Sequence, residues 1–333
     1  MLIPILLLIL GLVLLWIGSD FIIESAKKLA QRFRLSHVFI GLTVVSIGTS
    51  LPEIFTNVYA GISNLRGVAA SGIAVGVNIG SSITQMTLVV GLVALISILK
   101  ADKKTLSRDG VAILISILLV FLMGLTGFIS RIMGIILILA YVVYLLFLSR
   151  DERRDRRKSP LLAEPVDAIE LKSRRLRHHP FIVSLIMLGG VGLLILGGKF
   201  VVDNALRIAD AFNLTQTFLG VIILGVGGCL PELSTALKGI VKKAHGISLG
   251  TLIGSNITNP LLSMGLGATI AGLSFNRSLL FFELPFWAFT VLVVMLLLRK
   301  NITVDHHEKK EGVILIGLYF LFVLMKIVFF RSV

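Results

Sequence analysis

"IGSDFIIESAKKLAQRFRLSHVFIGLTVVSIGTSLPEI", residues 17–54, has a second copy in the same chain. It aligns without a gap to "LGGKFVVDNALRIADAFNLTQTFLGVIILGVGGCLPEL", residues 196–233, at a constant offset of 179. Gly18, Phe21, Ala26, Ala30, Phe33, Leu35, Phe39, Gly41, Gly48, Leu51, Pro52 and Glu53 match Gly197, Phe200, Ala205, Ala209, Phe212, Leu214, Phe218, Gly220, Gly227, Leu230, Pro231 and Glu232. After a length change in the following loop, "GIAVGVNIGSSIT" (72–84) matches "GISLGTLIGSNIT" (246–258) at an offset of 174. Two such matches in the same order mark an internal duplication, and a duplication constrains the architecture before any single element does.

The duplicated unit is built for a membrane. Of 333 residues, 56% are hydrophobic and only 15% are charged, with a mean hydropathy of +0.98, far too apolar for a soluble domain. Apolar runs close to the ~20 residues that cross a bilayer as helix fall at roughly 2–23, 37–61, 71–98, 110–128, 131–149, 181–203, 215–238, 247–273, 278–298 and 312–331. They are continuous rather than alternating, which excludes a transmembrane strand barrel. The first run lacks a small-residue cleavage site followed by a polar chain and reads as a span, not a signal peptide. The expected fold is an all-α polytopic membrane protein with ten transmembrane helices. Residues 1–149 form a first five-helix repeat, 150–180 a basic cytoplasmic linker and 181–333 a second five-helix repeat. An odd number of spans per copy makes the second copy enter from the opposite side. Inverted repeats of this kind place a transport site at the midplane between the halves and permit alternating access.

Charge sets the orientation. Of the 32 Lys and Arg, 25 fall in one set of connections, ten of them between Arg150 and Arg177, and seven lie on the other side. By the positive-inside rule the first set is cytoplasmic, so both termini lie outside the cytoplasm and the chain is a multi-pass protein of the cell membrane. The net charge of +14 is therefore topology bias rather than a nucleic-acid footprint. The linker "SRDERRDRRKSPLLAEPVDAIELKSRRLRHHP" reads as a solvated charge run, basic enough to touch anionic lipid. His178, His179, His306 and His307 lack the Cys or acidic partners at ligand spacing that metal binding needs. The lone Cys229 excludes an internal disulfide. Membrane lipid and transported ions are the expected partners, no cofactor is expected, and the sequence is compatible with a monomer.

The chemistry concentrates at the repeated "LPE". Pro52 and Pro231 lack the amides that would bond the carbonyls of Gly48 and Gly227, so each opens its helix in mid-membrane. Broken helices persist there only where protein or a watery cavity covers them, and freed carbonyls beside a carboxylate suit a hard cation. Proline and glycine alone would make a packing kink, but that does not explain Glu53 and Glu232. A charge at the membrane centre costs on the order of 3 kcal/mol even by the cheaper insertion scale and is functional by default. Glu283 lies close to an outer end, has no repeat partner in the alignment, and is expected to reach the interface. Two carboxylates meeting across a pseudo-twofold suit Ca²⁺ better than Mg²⁺, because Ca²⁺ accepts a flexible set of about six to eight oxygens. Occluding that pair empty is costly, so exchange against Na⁺ or H⁺ is more natural than uniport.

"GTSLPEI" with "GGCLPEL", followed by "GSSITQ" and "GSNITN", resembles the two alpha repeats of the cation/Ca²⁺ exchanger superfamily, most closely its prokaryotic Na⁺/Ca²⁺ exchanger branch. The resemblance covers nearly all ten spans. It implies a core of spans 2, 3, 7 and 8 with spans 1 and 6 sliding across it, and an antiporter rather than an enzyme. It also implies that Glu53 and Glu232 carry Ca²⁺ and share Na⁺, while Ser46, Thr49, Ser50 and the Gly225 carbonyl line the ion path. Ser81 and Ser255 add oxygens on the facing helices, with Gln85 and Asn259 one turn further on.

Three departures bear on the coupling ion. Gly228 and Cys229 replace the usual Thr-Ser, Gln85 replaces the usual Asn, and Asn259 stands where some members carry Asp. The alternative is an H⁺-coupled Ca²⁺ exchanger in which the two glutamates are protonated instead of binding Na⁺, although that branch carries a different, Asn-containing motif. A cation channel is a further alternative, since broken helices and acidic residues also line pores. The absence of a recognisable pore loop and the one glutamate per half favour a carrier. No nucleophile and base constellation points to an enzyme.

Overall fold

The structure, a computed structural model, describes residues 2–30, 39, 41–97, 103–158, 180–241, 245–303 and 309–330. Most of the 150–180 linker and the four loop histidines lie outside the described residues.

The helices are labelled in chain order. α1 is Leu2–Ala30. α2 is interrupted, with a π-helical turn over Gly41–Val45, one α-helical turn over Ser46–Thr49 and the helix Leu51–Leu65. α3 joins Ser71–Thr84 and Val90–Ile96 through a π turn at Gln85–Val89. α4 is Lys103–Gly124 and α5 is Arg131–Lys158. α6 is Pro180–Ala211. α7 runs through Gln216–Leu219, a π turn at Gly220–Leu224, Gly225–Gly228 and, after a break at Cys229, Leu230–Val241. α8 joins His245–Thr258 and Met264–Ala271 through a π turn at Asn259–Ser263. α9 opens on a π turn at Leu279–Glu283 and continues as Leu284–Thr303, and α10 is Lys309–Phe330. The π turns of α2 and α7 recur at the 179-residue offset, and those of α3 and α8 at 174. A strand pair, Phe128–Ile129 with Leu273–Ser274, ties the α4–α5 turn to the α8–α9 turn.

Seven of these helices are long and apolar enough to cross a membrane, judged on the described residues. The runs at 37–61, 181–203 and 247–273 fall on α2, α6 and α8, outside that set; α2 and α8 carry many of the buried polar residues of the interior. On the outside the chain shows lipid rather than water: Leu2, Ile3, Leu188, Ile132, Val143 and Leu296 are exposed large apolar side chains.

Small residues set how the helices meet. α1 and α6 lie antiparallel in close contact, with Gly11 against Val201, Leu15 against Gly197 and Gly18 against the Gly190 carbonyl. α3 and α7 run in the same direction, and a methyl group added at Gly80 would overlap the Val221 backbone. At Gly225 it would come within 2.9 Å of Ser81 N. Without a hydrophobic drive between helices in lipid, such backbone approach is the main source of helix association.

One expectation is corrected. Glu283 does not reach the interface: it is fully buried, where Lys326 of α10 pairs with it and Ser278 lies 3.5 Å away. A close counter-charge offsets part of the cost of burying a carboxylate. Glu283 also has a repeat partner after all. At the 174-residue offset lies Asp109, likewise fully buried, held bidentately by Arg108 at 2.7 and 2.8 Å and by the Tyr144 hydroxyl at 3.2 Å. Each half thus pins its fourth helix to its fifth through an acidic residue near the start of the fourth.

Candidate cation site

The breaks in α2 and α7 place the two glutamates. At each break a new helix begins, with Pro52 or Pro231 close to its start and Glu53 or Glu232 in its first turn. The unpaired amides and positive dipole end of a helix N-terminus favour a carboxylate there. Both glutamates are fully buried and within Coulombic reach of each other. Gly228 lies against Glu53, its backbone close enough that an added methyl carbon would sit 3.1 Å from Oε1.

Hydroxyls connect the breaks to the facing helices. Ser255 of α8 donates to Glu232 Oε1 at 3.3 Å, and its oxygen lies 3.4 Å from Thr49 Oγ1. Thr49 donates to the Ser46 carbonyl at 3.2 Å. The Ser46 hydroxyl turns away to Thr258, 3.0 Å distant, which also meets the Tyr141 hydroxyl of α5 at 3.0 Å. Ser81 of α3 lies beside Glu53, but donates to the Asn78 carbonyl at 3.2 Å and accepts from Asn259 Nδ2 at 3.1 Å. Gln85 accepts from Asn256 Nδ2 through its oxygen at 2.9 Å. The structure thus joins Ser46, Thr49, Ser255 and Glu232 in one chain of contacts, and Ser81 with Asn259 beside Glu53.

What remains unsatisfied defines the site's chemistry. Both oxygens of Glu53, Oε2 of Glu232, the Ser50 hydroxyl and the amide oxygens of Asn57, Asn78 and Asn259 are buried without a hydrogen-bond partner among the described residues. Such atoms are rare because each forfeits its hydration. These are seven oxygens, three of them from carboxylates, and oxygen is the atom type that a hard cation accepts. Among the described residues no group of three His, Cys, Asp or Glu comes together, so the oxygens include neutral ones.

Several members were not legible from the motifs. Ser19 of α1 donates to the Gly48 carbonyl at 3.0 Å, so the carbonyl expected to be free is hydrogen-bonded across helices. In the second repeat Ser19 aligns with Gly198, which has no hydroxyl to offer Gly227. Asn57 donates to the Glu53 carbonyl at 2.8 Å, and its spacing of four from Glu53 was the available signal. Asn256 lies inside the quoted "GSNITN" but was not singled out, and Trp287 had no signal.

The family model described as sodium/calcium exchanger protein matches residues 3–150 and 182–328. The chain belongs to this family. It is a multi-pass membrane protein whose curated relatives include the sodium/calcium exchanger MaX1 of Methanosarcina acetivorans, 33% identical over 96% of this chain and 97% of the relative. The inner membrane protein YrbG of Escherichia coli is 33% identical over 79% of each chain. A solved structure of the sodium-calcium exchanger NCX_Mj, soaked with Na⁺ and Sr²⁺, superposes with a TM-score of 0.65 at 26% identity over 99% of both chains.

Proposed function

We propose that the protein is a secondary active antiporter of the cell membrane that exchanges Ca²⁺ for Na⁺ by alternating access. The observation that carries this reading is the pair of buried glutamates at equivalent helix breaks, three of whose four carboxylate oxygens have no hydrogen-bond partner among the described residues. Glu53, Glu232, Thr49, Ser50, Ser81, Ser255 and Asn259 supply oxygens to the transported ions, Ser46 and Gly225 shape the path, and Gln85 borders it. Ten spans in two inverted halves, with both termini extracytoplasmic, account for the antiparallel packing of α1 on α6 and the parallel packing of α3 on α7.

The cycle follows from charge. With Ca²⁺ between them, Glu53 and Glu232 are neutralised and the core can be sealed from water on either side. Without a cation two like charges are buried together, a state costly enough to block the return step. Na⁺ entering the same oxygens removes that block, so the two ions share one path and move in opposite directions. α1 and α6, packed through glycines and exposing apolar surface outward, are suited to slide over the broken helices as the site faces alternate sides.

H⁺ coupling is the second reading, favoured by Gly228 and Cys229, which offer no hydroxyl oxygen to Na⁺. The test is Ca²⁺ uptake into proteoliposomes under an imposed Na⁺ gradient and, separately, a pH gradient. Uptake driven by Na⁺ at constant pH is expected. Uptake driven only by pH replaces Na⁺ with H⁺, and large uncoupled single-channel currents overturn the carrier itself.

A further inference from the structure

Gln85 and Asn259 occupy equivalent places in the two repeats, yet they leave opposite ends of their amides without a partner. Asn259 spends its nitrogen on Ser81 and keeps Oδ1 without a partner. Gln85 spends its oxygen on Asn256 and keeps Nε2 without a partner, although the side chain is fully buried. One position therefore offers a cation an oxygen; the other offers it an N–H.

The direction of the Gln85 amide is set from outside the site. The indole nitrogen of a tryptophan can only donate. Trp287 of α9, fully buried, donates to Asn256 Oδ1 at 2.9 Å. That leaves Asn256 its nitrogen, which donates to the Leu252 carbonyl and to Gln85 Oε1, both at 2.9 Å. Gln85 then has only its –NH₂ end left. Reversing either amide would set oxygen against oxygen or nitrogen against nitrogen in a buried place, which costs an unmade hydrogen bond. The relay has no equivalent in the first repeat, where Ser82 stands at the place of Asn256 and Ile113 at that of Trp287.

We propose that Trp287 is a positioning residue for coupling-ion binding: through Asn256 it holds the Gln85 amide with its N–H end toward the cation site. Gln85 there presents an N–H, which repels an ion, instead of an oxygen that could ligate one. The site in this exchanger then lacks one oxygen that Na⁺ could use. This rests on the Na⁺/Ca²⁺ exchange reading above. It adds that the Na⁺ affinity is restrained by a residue that touches neither ion.

The experiment is Ca²⁺ binding to the purified full-length protein in detergent, with Na⁺ as competitor, for wild type, Trp287→Phe, Gln85→Leu and the double variant. Trp287→Phe keeps the aromatic bulk and deletes the donor to Asn256 Oδ1, leaving the Leu252 carbonyl as the contact that opposes reversal and so raising the share of molecules in which Gln85 presents Oε1. The Na⁺ concentration that displaces half the Ca²⁺ is expected to fall severalfold, by more than any change in Ca²⁺ affinity. In the Gln85→Leu background the same substitution is expected to have no effect on Na⁺. Asn256→Asp is a second probe, since its new oxygen repels Gln85 Oε1 and turns the amide with Trp287 intact. It should shift Na⁺ in the same direction, and lose most of that effect without Gln85. Equal shifts for both ions, no shift, or a shift that survives Gln85→Leu overturns the relay. A wild type whose Ca²⁺ is not displaced by Na⁺ counts against the Na⁺ reading itself. In that event the relay stands only if Trp287→Phe creates the competition, and falls if it does not.

Discussion

Glu53 and Glu232 each open a helix, and the character of the site follows from that placement. A carboxylate in the first helical turn is partly compensated by amides and dipole, enough to be kept in the membrane but not enough to be at rest without a cation. Glu53→Gln or Glu232→Gln is expected to weaken Ca²⁺ binding by about tenfold or more, equivalent to about 1.4 kcal/mol. The same variants should raise the melting temperature of the ion-free protein, because one of two repelling charges is gone. Calorimetric titration and thermal melting in detergent check the two effects. Lys326 obeys the opposite logic. Lys326→Met leaves Glu283 buried without its counter-charge and should cost on the order of 3–5 kcal/mol. Lys326→Met combined with Glu283→Gln should recover much of that loss in a double-variant melting cycle.

At the scale of elements, the breaks and π turns set where polar groups can gather. Proline and glycine announced the breaks in α2 and α7, since a missing amide and a missing side chain are visible in the sequence. Of the later π turns, Asn259–Ser263 carries Pro260 at its start, whereas Gln85–Val89, "QMTLV", has neither proline nor glycine and was not announced. Close backbone contact makes the α3–α7 seam intolerant. Gly80→Ala forces a methyl group into the Val221 backbone and should destabilise the protein by about 1–3 kcal/mol. Gly189→Ala on α6, where an added methyl meets nothing within 4 Å, is the control and should melt like wild type. Across the α1–α6 seam the expected outcome differs. Gly197→Leu fills the contact with Gly11 and Leu15 and should slow Ca²⁺ exchange in proteoliposomes more than it weakens equilibrium Ca²⁺ binding, because it obstructs a sliding surface and not the oxygens.

For the molecule as a whole, the repeat and the charge bias make one topological prediction. With Cys229 replaced by Ala, a cysteine at Arg66 in the α2–α3 turn should react with a membrane-impermeant maleimide added to intact cells. A cysteine at Arg154 near the end of α5 should react only after permeabilisation. The reverse pattern would invert the orientation and move both termini to the cytoplasm.

Much of this protein was determined by its sequence alone. Continuous apolar runs can lower their free energy only by leaving water, so membrane residence is written in composition. The duplication and the repeated "LPE" pointed to equivalent helix breaks bearing Glu53 and Glu232, because proline, glycine and a carboxylate act through local chemistry that each copy preserves. Only the tertiary structure decided how the remaining polar groups are spent. Ser46 turns to Thr258, Ser19 covers the Gly48 carbonyl, Glu283 pairs with Lys326, and Trp287 orients Asn256 and through it Gln85. The physical reason is that a hydrogen bond has a direction set by both partners, and here the partners lie on different helices. Periodicity along one helix tells which face is buried, but not which end of an amide the neighbouring helix demands.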